Sequence, residues 1–306
     1  MQTALIGIDW GTSRLRGFRI GSDGQLLERR ESSSGIAAVR DGGFDQALKT
    51  LITDWLPDPG SVPILMCGMV GSRQGWREVP YRPCPAAFAD LVAALAPIDT
   101  GCGPAFIVGG LSTINTAGLH DIMRGEETQI LGSAPTAGRH LVIAPGTHSK
   151  WAVVEQGRVE SFQTYLTGEV YDLLCEHSSL GWLMQAGTDG DEDEPSFLSG
   201  VRRSFADPRL LHMLFGVRTT GLFENRPPAA LSSYLSGLLI GSELSGELQR
   251  HPEWPVIVIG SPALVRLYGI ALSEAGRSDF QHIDGDDAVV RGLWRLWQLH
   301  RNEADR

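Results

Sequence analysis

The sequence predicts an α/β protein of two similar lobes, each a mixed five-stranded sheet covered by helices. Three observations carry this. A strand–turn–strand pattern around Gly11-Thr12 returns around Gly146-Thr147, 135 positions later and close to half of the 306-residue length. Each copy runs on into a third strand after a short turn, Gly21-Ser22-Asp23-Gly24 in the first and Gln156-Gly157 in the second. Beyond each meander, short apolar runs alternate with helical stretches, the pattern of a mixed sheet with covering helices. The lobes are placed at residues 1–138 and 139–306, in keeping with ~100–200 residues per domain.

In order, Leu5 to Trp10 is an apolar run that ends in Asp9-Trp10-Gly11-Thr12-Ser13, and alternation resumes to Ile20. The third strand runs from Gln25 to Arg30, and a helix follows from Phe44 to Leu56. Pro63 to Cys67 reads as strand four, Pro85 to Leu95 as a helix, Ala105 to Val108 as strand five and Glu126 to Gly132 as a helix start. In the second half, Leu141 to Ala144 and Ser149 to Val154 flank the turn, and Arg158 to Gln163 completes the meander. Helices are expected over Glu169 to His177, Leu231 to Leu248, Ala263 to Ala275 and Asp287 to His300. Strands are expected over Val256 to Ile259 and Phe280 to Ile283.

Composition narrows the function. With 26 Lys and Arg against 36 Asp and Glu, the formal charge is −10. An acidic chain lacks the basic footprint that nucleic acid or an anionic membrane requires, so neither is expected as a partner. No apolar run approaches the ~18–20 residues that span a bilayer. The first residues lack the basic region and cleavage site of a signal peptide, so a cytoplasmic location is expected. Cys67, Cys84, Cys102 and Cys175 form no CxxC pair, and free thiols are expected rather than disulfides, zinc or an iron–sulfur cluster. Any anionic ligand must therefore be held by backbone geometry and a few placed cations.

The two glycine–threonine turns are the places for that. Two such lobes facing each other bring both turns to one cleft. Glycine admits a ligand close to the backbone, and successive amide N–H groups cradle phosphate oxygens. Thr12, Ser13, Thr147 and Ser149 add hydroxyls. A third loop joins them: the apolar strand to Ile259 feeds Gly260, Ser261 as helix cap and Pro262 as first helical residue, a usual place for a nucleotide. Plain hairpins and a plain helix cap are the competing explanations, and the duplication favours phosphate binding. Composition and periodicity go no further than phosphoryl transfer in a two-lobed cleft.

Longer stretches carry a resemblance. Ile8-Asp-Trp-Gly-Thr12, Cys67-Gly-Met-Val-Gly-Ser72, Met123-Arg-Gly-Glu-Glu-Thr-Gln129, Pro145-Gly-Thr-His-Ser-Lys-Trp151, Thr167-Gly-Glu169 and Gly285-Asp286 run in order along nearly the whole chain. On these the chain resembles the 2-dehydro-3-deoxygalactonokinase family, within the actin–hexokinase–Hsp70 ATPase superfamily. The resemblance implies two ribonuclease H-like lobes and transfer of the ATP γ-phosphate, with Mg²⁺, to the 6-hydroxyl of 2-dehydro-3-deoxy-D-galactonate. The partner is then a small sugar acid, with the oligomeric state open and a homodimer among the options. A phosphatase or polyphosphate hydrolase of the same fold, or a sugar-sensing regulator, are the alternatives.

Candidate residues follow. Asp9 is assigned to hydrated Mg²⁺, which takes few carboxylates. The second turn has Ala144 where the first has Asp9, and carries His148 and Lys150, whose charge is expected to offset phosphate. ATP is expected at Gly11, Thr12, Ser13, Gly146, Thr147, His148, Lys150, Gly260 and Ser261. Glu126 is the first choice of base for the sugar hydroxyl, with Glu127 and Asp9 left open; in exopolyphosphatases of the superfamily a similar Glu-Glu helix start lines the cleft. The carboxylate of a sugar acid calls for arginine. Arg16 and Arg124 lie beside cleft motifs, and the glycine- and aromatic-rich segment 68–81 fits a sugar-binding cap. Substrate contacts are thus expected from Arg16, Met69, Ser72, Trp76, Tyr81, Arg124 and Glu169. The acidic run 189–194 reads as a solvated loop, and Trp294 and Trp297 as packing.

Overall fold

The computed structural model describes residues 2–40, 42–115, 118–184, 193–251 and 253–304. Strands β1 (Thr3–Trp10), β2 (Leu15–Gly21) and β3 (Leu26–Ser32) form the first meander, with Asp9 opposite Arg16 in the antiparallel β1–β2 register. The last six residues of β1 are buried, as suits a strand covered on both faces. Helix α1 (Phe44–Ile52) is followed by β4 (Ile64–Gly68), parallel to β1, the two-residue β5 (Arg82–Pro83), the short α2 (Phe88–Val92), β6 (Ala96–Thr100) and β7 (Gly103–Ile107). The sheet order is β3-β2-β1-β4-β7-β6. Next, β8 (Leu111–Ile114) and β9 (His120–Met123) join β5 in a small sheet that leads into α3 (Glu126–Ser133).

The second meander is β10 (Arg139–Ala144), β11 (Ser149–Glu155) and β12 (Arg158–Tyr165). Helices α4 (Thr167–His177), α5 (Glu194–Ala206), α6 (Leu210–Phe223) and α7 (Pro228–Arg250) follow. Then come β13 (Val256–Gly260), α8 (Pro262–Glu274), β14 (Gln281–Asp284) and α9 (Gly285–Ala304). This sheet runs β12-β11-β10-β13-β14, the same order as the first five strands of the other, so the repeat in the letters is a repeat of topology. Each sheet thus carries the mixed five-strand arrangement expected of a ribonuclease H-like lobe.

Some expectations are corrected. The first sheet has a sixth strand: the helix expected over 85–95 shrinks to α2, and Ala96–Thr100 pairs antiparallel with β7. Pro97 hid it, and an edge strand is where a sheet tolerates proline. Helices α5 and α6 were not expected at all. Of the acidic run, residues 189–192 lie outside the described ones, whereas Asp193 caps α5 by accepting the Ser196 N–H at 2.8 Å. Cys67 and Cys102 are buried, Cys84 and Cys175 half-buried, and all four are free. Among the described residues, no helix is long and apolar enough to cross a membrane.

By contacts the chain groups into two units, Met1–Arg139 with Ala152–Gln163 and Ile283–Arg306, and His140–Trp151 with Thr164–His282. In the first unit, Trp10, Phe44 and Trp76 pack ring on ring, with centroids 5.4, 5.9 and 6.1 Å apart. Such aromatic pairs add ~0.5–1.5 kcal/mol each beyond burial. Helices α3 and α9 touch backbone to backbone, since a Cβ on Gly132 would strike Ala288 O and one on Gly292 would strike Thr128 O. That contact fixes where α3 begins. In the second unit, α7 is buried over most of its length, and Leu231, Leu235 and Leu238 share a cluster with Met213 and Val217 of α6.

Candidate active site

The β1–β2 register sets the first group of side chains. Asp9, nearly buried, accepts from Arg16 Nη2, while Arg16 Nη1 donates to Asp286 Oδ1 at 2.6 Å. Asp286 stands in the first turn of α9 and also accepts from Arg29. Burial pushes the Asp9 carboxyl above its ordinary range, and Arg16 opposes that shift. Asp286 was quoted at the sequence level without a role. Arg16, expected at the substrate, has both Nη groups taken by carboxylates.

Two glycines bring a second strand end to Asp9. Gly68, at φ 90°, ends β4; a Cβ there would lie 2.7 Å from Trp10 O and 3.0 Å from Asp9 Oδ1. Gly125, at φ 109°, caps α3, and its Cβ would lie 3.2 Å from Gly68 Cα. Only glycine adopts such angles without strain. The two turns therefore set the α3 start against Gly68. Cys67 registers this: burial pushes its thiol well up, and Asp9 and Glu127 push it further.

The α3 start separates the two glutamates. Both carboxylates turn back to cap: Glu126 accepts the Arg124 N–H at 3.1 Å and Glu127 the Gly125 N–H at 2.6 Å. Glu127 is fully buried, with Thr128 Oγ1 donating at 3.0 Å. Burial, then repulsion from Glu126, raises its pKa to about 8, so it is mostly protonated at neutral pH. Glu126 is partly exposed.

Arg124 is buried, donates Nη2 to Val79 O at 2.7 Å and lies 4.3 Å over the Tyr81 ring. Its Nε and Nη1 are buried and have no hydrogen-bond partner among the described residues, and the same holds for the Ser72 hydroxyl. Met69 and Trp76, named with them as substrate contacts, pack into the core cluster of this unit. The Gly11–Ser13 turn leaves Thr12 and Ser13 exposed, while Gly11 O and Thr12 O accept from Ile36 and Ala37.

The second unit holds a cavity of about 600 Å³. Its walls are Tyr171 of α4, Phe197 of α5, Ser232, Ser236, Leu239 and Ile240 of α7, and Leu264, Leu267 and Tyr268 of α8. Gly146, Thr167, Gly168 and Ser261 also line it. The Glu169 N–H donates to Thr147 O at 3.0 Å, and Gly168 sits so close to Gly146 that a Cβ would lie 2.5 Å from its carbonyl oxygen. Gly260 lies beside Pro145. His148 and Glu169, assigned separately to ATP and substrate, meet at 2.5 Å on the surface. Lys150 is buried, and the Ser149 hydroxyl, expected at phosphate, instead donates to Glu243 at 2.6 Å. The α4 and α7 lining was given no role from the sequence, although Thr167-Gly168-Glu169 and Leu235-Ser-Gly-Leu-Leu-Ile-Gly241 both belong to the resemblance.

Comparisons with known proteins point to one family. A family model described as 2-keto-3-deoxy-galactonokinase matches residues 9–296. The chain is 37% identical over 290 residues, 94% of each chain, to a Rhizobium meliloti (strain 1021) protein named as a 2-dehydro-3-deoxygalactonokinase. It is 33% identical over 296 residues to the Escherichia coli (strain K12) 2-dehydro-3-deoxygalactonokinase, covering 96% of this chain and 97% of the other. A crystal structure of a Sinorhizobium meliloti protein assigned as 2-dehydro-3-deoxygalactonokinase superposes with a TM-score of 0.86 at 35% identity, covering 96% of this chain and 98% of that one.

Proposed function

The chain belongs to the 2-keto-3-deoxy-galactonokinase family and is a sugar-acid kinase, and from that premise we propose how its residues move a phosphoryl group from ATP to the 6-hydroxyl of 2-dehydro-3-deoxy-D-galactonate. The observation that carries the reading is the division of labour at the α3 start. One carboxylate is partly exposed and its neighbour is buried and protonated, beside a buried arginine with unpartnered N–H groups.

The cavity of the second unit fits a nucleoside. Its walls are apolar and aromatic, and Gly146 and the Ser261 start of α8 offer backbone N–H groups for phosphate oxygens. In the first unit, the exposed Thr12 and Ser13 hydroxyls are suited to phosphate oxygens. Asp9 suits Mg²⁺ held through water: among the described residues no cluster of three or more metal-ligating side chains exists, and one carboxylate is what a hydrated Mg²⁺ needs. The ion, when bound, neutralises phosphate charge. Arg16, held by Asp286, keeps the Asp9 carboxylate in place.

Arg124 takes the substrate carboxylate with Nε and Nη1, and segment 69–81 covers it. Glu126 accepts the proton as the sugar oxygen bonds to the γ-phosphorus; the bond to the bridging oxygen breaks and ADP leaves. A coupled ADP-release assay with MgATP over a panel of 2-keto-3-deoxy acids tests this. Release that requires the galactonate acid supports it. Release with water alone points to a hydrolase, and preference for the gluconate epimer changes the substrate.

A further inference from the structure

We infer that Glu243 is a positioning residue for the nucleotide cavity, a role that rests on reading that cavity as the ATP site. Glu243 lies in the middle of α7 and is 2% exposed. It touches nothing that reacts. Its Oε1 accepts from Ser149 Oγ at 2.6 Å and from Trp151 Nε1; its Oε2 accepts from Thr167 Oγ1 and from Tyr268 OH at 2.8 Å. Ser149 Oγ and Tyr268 OH, 3.3 Å apart, close the ring.

An ionised carboxylate has about four acceptor sites, and here each is filled by a side-chain donor, two of them from the cavity lining. Ser149 and Trp151 open β11, just after the Gly146 turn. Thr167 is the first residue of α4, and Tyr268 is in α8; both line the cavity. One carboxylate thus ties two walls, α4 and α8, and the start of β11 to a third wall, α7. All four donors are neutral. An apolar residue would fill this space without desolvating a charge, and buried charges are weak evidence for stability alone. Directed bonds are what apolar packing cannot supply, and these fix the Gly146 turn and the α4 start against each other.

Glu247, one turn further along α7, provides the control. It is equally buried and accepts from Tyr165 OH at 2.5 Å, but Tyr165 does not line the cavity, whereas Thr167 and Tyr268, two of the donors to Glu243, do.

The test uses the full chain, with ADP binding by calorimetry and KM for ATP and for the sugar acid. Glu243→Gln should weaken ADP and raise KM for ATP by about tenfold or more, with the sugar-acid KM within about twofold. Tyr268→Phe, which removes one donor and keeps the ring, should shift both nucleotide values the same way by less. It carries the test if Glu243→Gln does not fold. Glu247→Gln should lose thermal stability and keep ADP affinity. Unchanged ADP affinity in Glu243→Gln and Tyr268→Phe overturns the inference, as does an equal loss in Glu247→Gln. A wild-type chain that binds no ADP removes the cavity reading, and the inference falls with it.

Discussion

Asp9 at the end of β1 and Asp286 at the start of α9 share one guanidinium, that of Arg16. They are 277 positions apart in the chain, yet the outer carboxylate sets the orientation of the inner one. Removing one partner of a buried or half-buried ion pair leaves the other uncompensated. Asp286→Asn should therefore lower kcat about tenfold while the sugar-acid KM changes little, and Asp9→Asn should lower it by far more. Steady-state kinetics at saturating MgATP measures both. An unaltered kcat in Asp286→Asn would mean that Arg16 alone holds Asp9.

The adjacent glutamates should separate in activity. Glu126→Gln keeps an oxygen to cap the Arg124 N–H but loses the proton acceptor. General-base contributions are typically 10²–10⁴-fold, so kcat should fall by about that range with folding intact. Glu127→Gln replaces a carboxyl already protonated at neutral pH, and its kcat should stay within a few-fold of wild type. Reversal of the two outcomes would move the base to Glu127.

The same residue makes stability depend on pH. Its pKa is raised from 4.5 to about 8 in the folded chain, so between those values the folded state holds one proton more than the unfolded state. The sign follows: the contribution is full below about 4.5 and is lost as pH rises toward 8, by at most ~1.4 kcal/mol per pH unit. Urea midpoints at pH 6 and pH 8 should fall more for wild type than for Glu127→Gln. Parallel falls in the two proteins would show that Glu127 does not titrate there.

Much of this was legible in the letters because turns and alternation are local. Gly11-Thr12 and Gly146-Thr147 each end an apolar strand, and the alternation of strands and helices on both sides followed from what came after them; the strand order needed the fold. The glycines at 68 and 125 lay within quoted stretches, but their positive φ and mutual contact needed the fold. Glu243 was invisible for a different reason. A carboxylate inside a 23-residue helix reads as a solvated face, and its four donors come from residues 149 to 268. Lys150, expected to offset phosphate charge, is buried, which a lysine beside a turn does not announce.

Gly168 offers a local test of the cavity rim. A methyl group there would sit 2.5 Å from Gly146 O and 2.8 Å from Thr147 Cα, so the turn must move. Backbone cannot yield as a flexible side chain does, and overpacking costs ~1–3 kcal/mol. Gly168→Ala should raise KM for ATP about tenfold and leave the sugar-acid KM nearly unchanged. An unchanged ATP KM would separate this turn from nucleotide binding.

Arg124 carries the prediction about substrate class. The buried Arg124 Nε and Nη1 meet no protein acceptor among the described residues, which leaves two donors for a ligand. A carboxylate answers both donors at once, with a planar match that lysine lacks. Arg124→Lys keeps the charge and loses the fork, so the sugar-acid KM should rise about 10- to 100-fold while the ATP KM holds. The carboxamide of the same sugar should be a poor substrate for wild type and no poorer for the variant, because the contact being removed is the one it cannot make. If Arg124→Lys weakens acid and amide equally, or lowers only the melting temperature, Arg124 serves the stacking on Tyr81 and the carboxylate is bound elsewhere.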